Sequence, residues 1–302
     1  MNKHMGEIGL LSVAIIWGSG FIGTQVSLDN GLTPLQLLTL RFLIGSILLS
    51  IIFFKKIKIN LNKESLKSGI VLGIFLFIAF VVQTIGLTYT TPSKNAFITA
   101  VNVVIVPFIG FIIYKDKLDK IGIISSIIAI IGIAILSLEH DFSVNFGDFL
   151  TLISAFAFAF HIFFTSQFAN KHNPLVLTVI QFSVAFILSL VVQIFIGEGK
   201  IVADKSAYIG VIYLGIFCTT IAFLGQTICQ KKVEGPKAAI IMSTEAVFGT
   251  ILSVIVLKEP VTIRMILGSL LIFSAIITAE TKLSFLKKKE AKLQNSEDSA
   301  GL

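Results

Sequence analysis

Apolar runs of roughly twenty residues recur from one end of this chain to the other, each long enough to cross a hydrocarbon core of about 30 Å as a helix. Inside a bilayer no water satisfies a backbone amide, so such runs must close their own hydrogen bonds as helices or join a sealed barrel. The runs lie at 8–28, 34–54, 68–89, 93–114, 119–138, 147–169, 174–196, 207–229, 236–257 and 261–281. They are too long and too evenly apolar for barrel strands, which alternate over about ten residues. The connectors are short and hold helix breakers, among them Asp29-Asn30-Gly31, Thr91-Pro92, Asn173-Pro174 and Glu259-Pro260. A chain of 302 residues that is 55% hydrophobic and only 14% charged is no soluble globular protein. The expected fold class is all-α integral membrane, with ten transmembrane helices.

Residues 79–85 read AFVVQTI and residues 222–228 read AFLGQTI, with five identities in seven at a separation of 143. The same separation pairs Asn102 with Glu245, Lys94 with Lys237, and Lys115-Asp116 with Lys258-Glu259, while Pro34 and Arg41-Phe42 meet Pro174 and Gln181-Phe182 at 140. The chain is therefore a tandem duplication of five spans. An odd count turns the second copy upside down relative to the first, the plan of a secondary transporter. The expected units are 1–140 and 141–281, followed by a polar tail at 282–302.

Lysine and arginine placement orients the chain. With the N-terminus inside, the cytoplasmic segments carry eighteen and the external segments five, with Arg41 inside a span. That imbalance places both termini in the cytoplasm of a cell whose cytoplasmic membrane holds the protein. It also accounts for the net charge of +7 without a nucleic-acid partner. The first span is read as a retained helix rather than a cleaved leader, since it has a counterpart in the second half.

Signatures of catalysis are missing. The sequence holds no G-x-x-x-x-G-K-[ST] phosphate cradle, no H-E-x-x-H and no Cys/His cluster, so neither cofactor nor metal is expected. Cys218 and Cys229, about 16 Å apart along one helix, are too distant for a disulfide. The expected partners are the lipid bilayer and a small-molecule substrate. A membrane-embedded enzyme, a lipid flippase and a purely structural membrane protein are the competing classes.

Ionisable residues inside a span are costly and call for a partner or a wet cavity. Glu245 lies near the middle of the ninth span and Arg41 about 10 Å below the external surface in the second. Three readings stand: the two are opposite ends of a site for an amino acid or similar zwitterion; Glu245 carries a proton; or both are structural. Neutral polar residues sit at similar depth, with Asn102 equivalent to Glu245, Gln83 to Gln226, and Gln181 to Arg41. Trp17 is another mid-membrane residue, and His161 is a candidate either for proton coupling or for a helix–helix hydrogen bond. The expected substrate-binding set is Trp17, Arg41, Gln83, Asn102, Gln226 and Glu245. Pro107 is expected to kink the fourth span.

These residues bring out a resemblance. AIIWGSGF (14–21), the stretch from Phe223 to Glu259 with FLGQT, GPKAAIIMSTEAVFG and LKEP, and its first-half copy SKNAFITAVNVVIVPF are similar to the signatures of EamA-type proteins of the drug/metabolite transporter superfamily. The resemblance spans the chain to about residue 281. It implies two inverted five-helix repeats and transport of small metabolites, often amino acids. Two positions depart from the family pattern: Ala246 stands where proline often follows the acidic residue, and Asp116 where glutamate is usual.

Overall fold

A computed structural model describes residues 3–115, 120–138, 144–230, 232–233 and 235–281. The described residues contain ten helices long and apolar enough to cross a membrane. They are α1 (His4–Asp29), α2 (Pro34–Asn60), α3 (Lys63–Leu87), α4 (Pro92–Tyr114), α5 (Lys120–Ser137), α6 (Phe146–Ala169), α7 (Pro174–Phe195), α8 (Lys205–Cys229), α9 (Ala238–Leu257) and α10 (Ile263–Thr281). The ten expected spans are all present, with ends displaced by up to six residues. Asp116 and the tail at 282–302 lie outside the described residues.

Local chemistry sets the ends. Proline opens α2, α4 and α7, each behind a capping Thr33, Thr91 or Asn173 side chain that accepts an amide hydrogen of the first turn. Lys115 (φ 57°) and Lys258 (φ 59°) end α4 and α9 in the left-handed region, 143 residues apart. Such a conformation costs a non-glycine residue about 1 kcal/mol or more. Its appearance at equivalent positions means that both copies stop the helix by the same turn.

The largest helix interfaces join one half to the other: α1 packs on α8 and α9, α6 on α3 and α4, α2 on α7 and α8, α7 on α3, and α5 on α10. Exchanging the halves maps this set onto itself. The two larger apolar cores that result are centred on Phe42, Phe182 and Leu214 and on Ala96, Ala246 and Ile272. At the α5–α10 crossing a Cβ on Gly132 would sit 3.1 Å from the Gly268 carbonyl oxygen, so the absence of side chains lets the two backbones touch.

Both fourth helices break, and not where proline predicts. α4 is interrupted at Val101 and α9 at Thr244, each immediately before the polar pair Asn102 and Glu245. Pro107 lies six residues later inside a continuous helical run. The equivalent break in α9 has no proline at all, with Thr250 in the equivalent place and Ala246 after Glu245. The break belongs to the repeat, and Pro107 is not its cause.

At the end of the bundle opposite both termini, buried polar contacts tie the halves together. Asp148 is 2% exposed and pairs with Lys94 Nζ at 3.2 Å while accepting from the Thr90 hydroxyl. Glu259 accepts from Ser93 Oγ at 2.7 Å and from Ser253, and Thr33 donates to Glu198. Replacing Lys94 by Met strands the Asp148 carboxylate and is expected to destabilise the fold by about 2 kcal/mol, discounting for the partial exposure of Lys94. Thermal melts in detergent check this. A Lys94→Met/Asp148→Asn double variant no more stable than Lys94→Met would sink the pairing.

Candidate functional site

The packing of α1 against α9 begins the site. A Cβ on Gly18 would lie 2.7 Å from the Glu245 carbonyl oxygen and 2.8 Å from the Gly249 amide nitrogen. Backbone atoms cannot yield, so glycine alone permits this contact. It seats Gly18, the residue after Trp17, against Glu245, one residue past the break in α9. Gly18→Val is expected to force α1 from α9 at a cost of about 1–3 kcal/mol. An unchanged melting midpoint would show that the helices have room.

Trp17 then reaches across to α8. Its indole Nε1 donates to the Cys218 carbonyl at 2.9 Å, and its ring meets Phe223 edge-on with centroids 5.2 Å apart. The next residue, Thr219, accepts from Arg41 Nε at 2.8 Å. Gly45, one turn beyond Arg41, would carry a Cβ 2.7 Å from the Thr219 methyl, so α2 makes room for that side chain. Both α8 residues belong to a π-helical stretch, Leu214–Ile221.

Arg41 is 7% exposed, and its guanidinium carbon lies 4.5 Å from the centre of the Phe80 ring. Among the described residues it has no carboxylate partner, and only Nε is hydrogen-bonded. The two terminal nitrogens have no partner among the described residues. Glu245 is half-buried and its carboxylate likewise makes no hydrogen bond or ion pair among the described residues. A guanidinium edge and a carboxylate thus stand unclaimed among the described residues of one bundle.

The neutral residues divide. Gln83 Nε2 donates to Thr99 Oγ1 at 2.9 Å, and Gln226 Nε2 approaches Met242 Sδ at 3.5 Å. Thr99 and Met242 are themselves 143 residues apart, so the contact is repeated with a weaker acceptor in the second half. Asn102 is 8% exposed and its side chain has no partner among the described residues. Gln181 is taken by His161, whose Nε2 lies 2.6 Å from Gln181 Oε1 across α6 and α7. Cys218 and Cys229 are both free thiols in buried positions.

An aromatic chain threads the same layer. Trp17–Phe223–Phe182–Phe42–Phe80–Phe158 runs with successive centroids 5.2, 5.0, 6.0, 5.4 and 5.1 Å apart. Trp17 and Phe158, Phe42 and Phe182, and Phe80 and Phe223 are equivalent pairs at separations of 140 to 143 residues. The chain therefore reads the same from either end, with its midpoint between Phe42 and Phe182, both 0% exposed. Polarity breaks this symmetry: Arg41 lies beside Phe42, and Gln181 beside Phe182.

Sequence reasoning picked out Trp17, Arg41 and Glu245 but passed over Thr219 and Phe80, the two side chains that hold the guanidinium. Phe80 is one of 27 phenylalanines, and nothing singles it out before α3 meets α2. Thr219 had a signal. LGIF and IAF are separated by two residues at 72–80 and by three at 214–223.

Comparison with known proteins bears on the family and the fold. The profile of the EamA-like transporter family matches residues 4–138 and again residues 145–280, one five-helix unit each. A protein of Archaeoglobus fulgidus, named an uncharacterized transporter, is 32% identical over 283 residues, covering 94% of this chain and 88% of its own. The uncharacterized transporter YoaV of Bacillus subtilis is 24% identical over 274 residues, covering 88% of this chain and 93% of its own. A solved crystal structure shares the fold, with a TM-score of 0.66 at 16% identity over 94% of this chain and 99% of that one. Ten membrane-crossing helices in two matched units, with relatives named as transporters, lead to one conclusion: the chain is a multi-pass membrane protein that belongs to the EamA-like transporter family.

Proposed function

We propose that the protein is a secondary transporter of the cytoplasmic membrane that exports amino acids or closely related zwitterionic metabolites. Two inverted repeats would rock about the Phe42–Phe182 contact and expose a mid-membrane site alternately to each side. Arg41 takes the cargo's carboxylate and Glu245 its amine, with Trp17, Gln83, Asn102 and Gln226 lining the space between. The observation that carries this reading is the pair of unclaimed charges: a buried guanidinium with free terminal nitrogens and a carboxylate without partner. Holding an unpaired charge at depth is costly, so both groups are best explained by a ligand of opposite charge at each.

Lysine placement supports a cytoplasmic location of both termini, and the helix count agrees with it. The polar contacts of Asp148, Glu259 and Glu198 tie the halves together at the opposite end, which supports loading from the cytoplasm and hence export. His161 serves in this reading as the α6–α7 bond to Gln181, outside the proton path.

The test is counterflow by purified protein in lipid vesicles, scanned with labelled amino acids, nucleosides and sugars. Saturable exchange is expected for amino acids alone. Exchange of nucleosides or sugars reassigns the cargo; transbilayer movement of labelled phospholipid with no solute exchange would favour a flippase.

A further inference from the structure

α8 differs from its equivalent, α3, by one residue in mid-helix. LGIF (72–75) and LGIF (214–217) match at a separation of 142, whereas IAF (78–80) and IAF (221–223) match at 143. Between them α3 has Leu76-Phe77 and α8 has Cys218-Thr219-Thr220. α3 is α-helical from Lys63 to Leu87, but Leu214–Ile221 of α8 is π-helical. A π-turn bonds i to i+5, so it absorbs one more residue than the α-turn it replaces and returns the following helix to its former face. The extra residue falls within the π-turn.

All three residues of the triplet make polar contacts. The Cys218 carbonyl accepts from Trp17, Thr219 Oγ1 accepts from Arg41 Nε, and Thr220 Oγ1 donates to the Gly215 carbonyl five residues back at 2.8 Å. In the first repeat Leu76 and Phe77 stand in place of the triplet and offer no side-chain acceptor, and Gln181 turns to His161 instead. Arg41 is thus pinned at Nε by Thr219 and across its face by Phe80, which leaves its two terminal nitrogens without a partner among the described residues. A fork held in this way loses little freedom when it meets a planar carboxylate.

We propose that the one-residue insertion at Cys218-Thr219-Thr220 is the specificity-determining element of this transporter: its π-turn presents Thr219 as the positioning residue that aims the Arg41 guanidinium at the cargo's carboxylate. The inference rests on Arg41 as the carboxylate-binding group of the site.

Two arms test it. The first needs no ligand, because Trp17 is the sole tryptophan and is bonded to the turn itself. Deleting Thr220 restores the two-residue spacing of α3 and is expected to shift Trp17 emission and its quenching by acrylamide, while Cys218→Ala, which keeps the carbonyl, matches wild type. Wild-type emission and quenching in the deletion variant overturn the link between insertion and turn. The second arm measures uptake of a labelled amino-acid mixture by vesicles carrying Thr219→Val, which keeps residue count and shape. KM is expected to rise about tenfold with Vmax within about twofold, Thr219→Ser to restore it, and Thr219→Val to add nothing to Arg41→Gln. An unchanged KM, or effects that multiply with Arg41→Gln, overturn the positioning role. Wild-type vesicles that move no amino acid overturn the cargo reading and the carboxylate role of Arg41 with it, while the emission arm still decides whether the insertion sets the turn.

Discussion

Arg41→Gln is expected to raise the KM for amino-acid exchange by about 10- to 100-fold, the worth of a charge-assisted contact to a carboxylate. Folding should survive the change, because the equivalent position in the other repeat is already glutamine: Gln181, 4% exposed, sits in a helix of the same packing. Arg41→Lys is expected to recover little of the loss. An ammonium cannot donate to Thr219 and present two further donors in one plane at the same time, nor lie flat on Phe80. Initial exchange rates in vesicles, with melting curves of the same preparations, separate affinity from stability. An Arg41→Gln protein with wild-type KM would falsify the assignment of Arg41 to the cargo.

The second large effect is expected at Glu245. If its carboxylate takes the cargo's amine, Glu245→Gln lowers counterflow and gradient-driven uptake together, by about tenfold or more. Counterflow requires no driving ion. Loss of pH-driven flux with counterflow intact would therefore move Glu245 from cargo recognition to proton carriage, and unchanged pH-driven flux removes it as a carrier. Equal behaviour of Glu245→Gln and wild type in both assays would return the residue to a structural role. The neutral equivalent, Asn102, shows that this point of the repeat accepts an amide without loss of the helix break.

Much of the architecture is visible in the unfolded chain, because the bilayer leaves few choices. A run of twenty apolar residues has one stable form in lipid, and its ends are marked by prolines and capping side chains whose preferences are local. Hence α2, α4 and α7 begin at the expected prolines. The break of α4 was less legible. Pro107 is the obvious breaker by local rules, yet the chain turns at Val101, as it does at Thr244 where no proline follows. The shared position shows that packing of the repeat sets the break, and tertiary contact outweighs propensity there.

For the candidate site, intramembrane charge singles out Arg41 and Glu245, because burying charge in lipid is expensive wherever it occurs. Trp17 and Arg41 bond to neighbouring residues of α8, Cys218 and Thr219. Their partners were hidden for different reasons. Phe80 looks like any other apolar residue until α3 crosses α2. Thr219 is one of many helix hydroxyls until Gly45 lets it approach α2.

The sequence by itself determined the ten spans, the doubling of a five-helix unit, and the two charged residues that each repeat's equivalent lacks, since all three follow from composition, spacing and the cost of charge in hydrocarbon. Only the tertiary structure decided what those charges touch. Arg41 finds a threonine and a phenylalanine instead of Glu245, and His161 finds Gln181, because a side chain's partner depends on how two helix backbones cross and on single residues that open or widen a turn. Spacing along one chain carries the first kind of information. The second exists only once the helices meet.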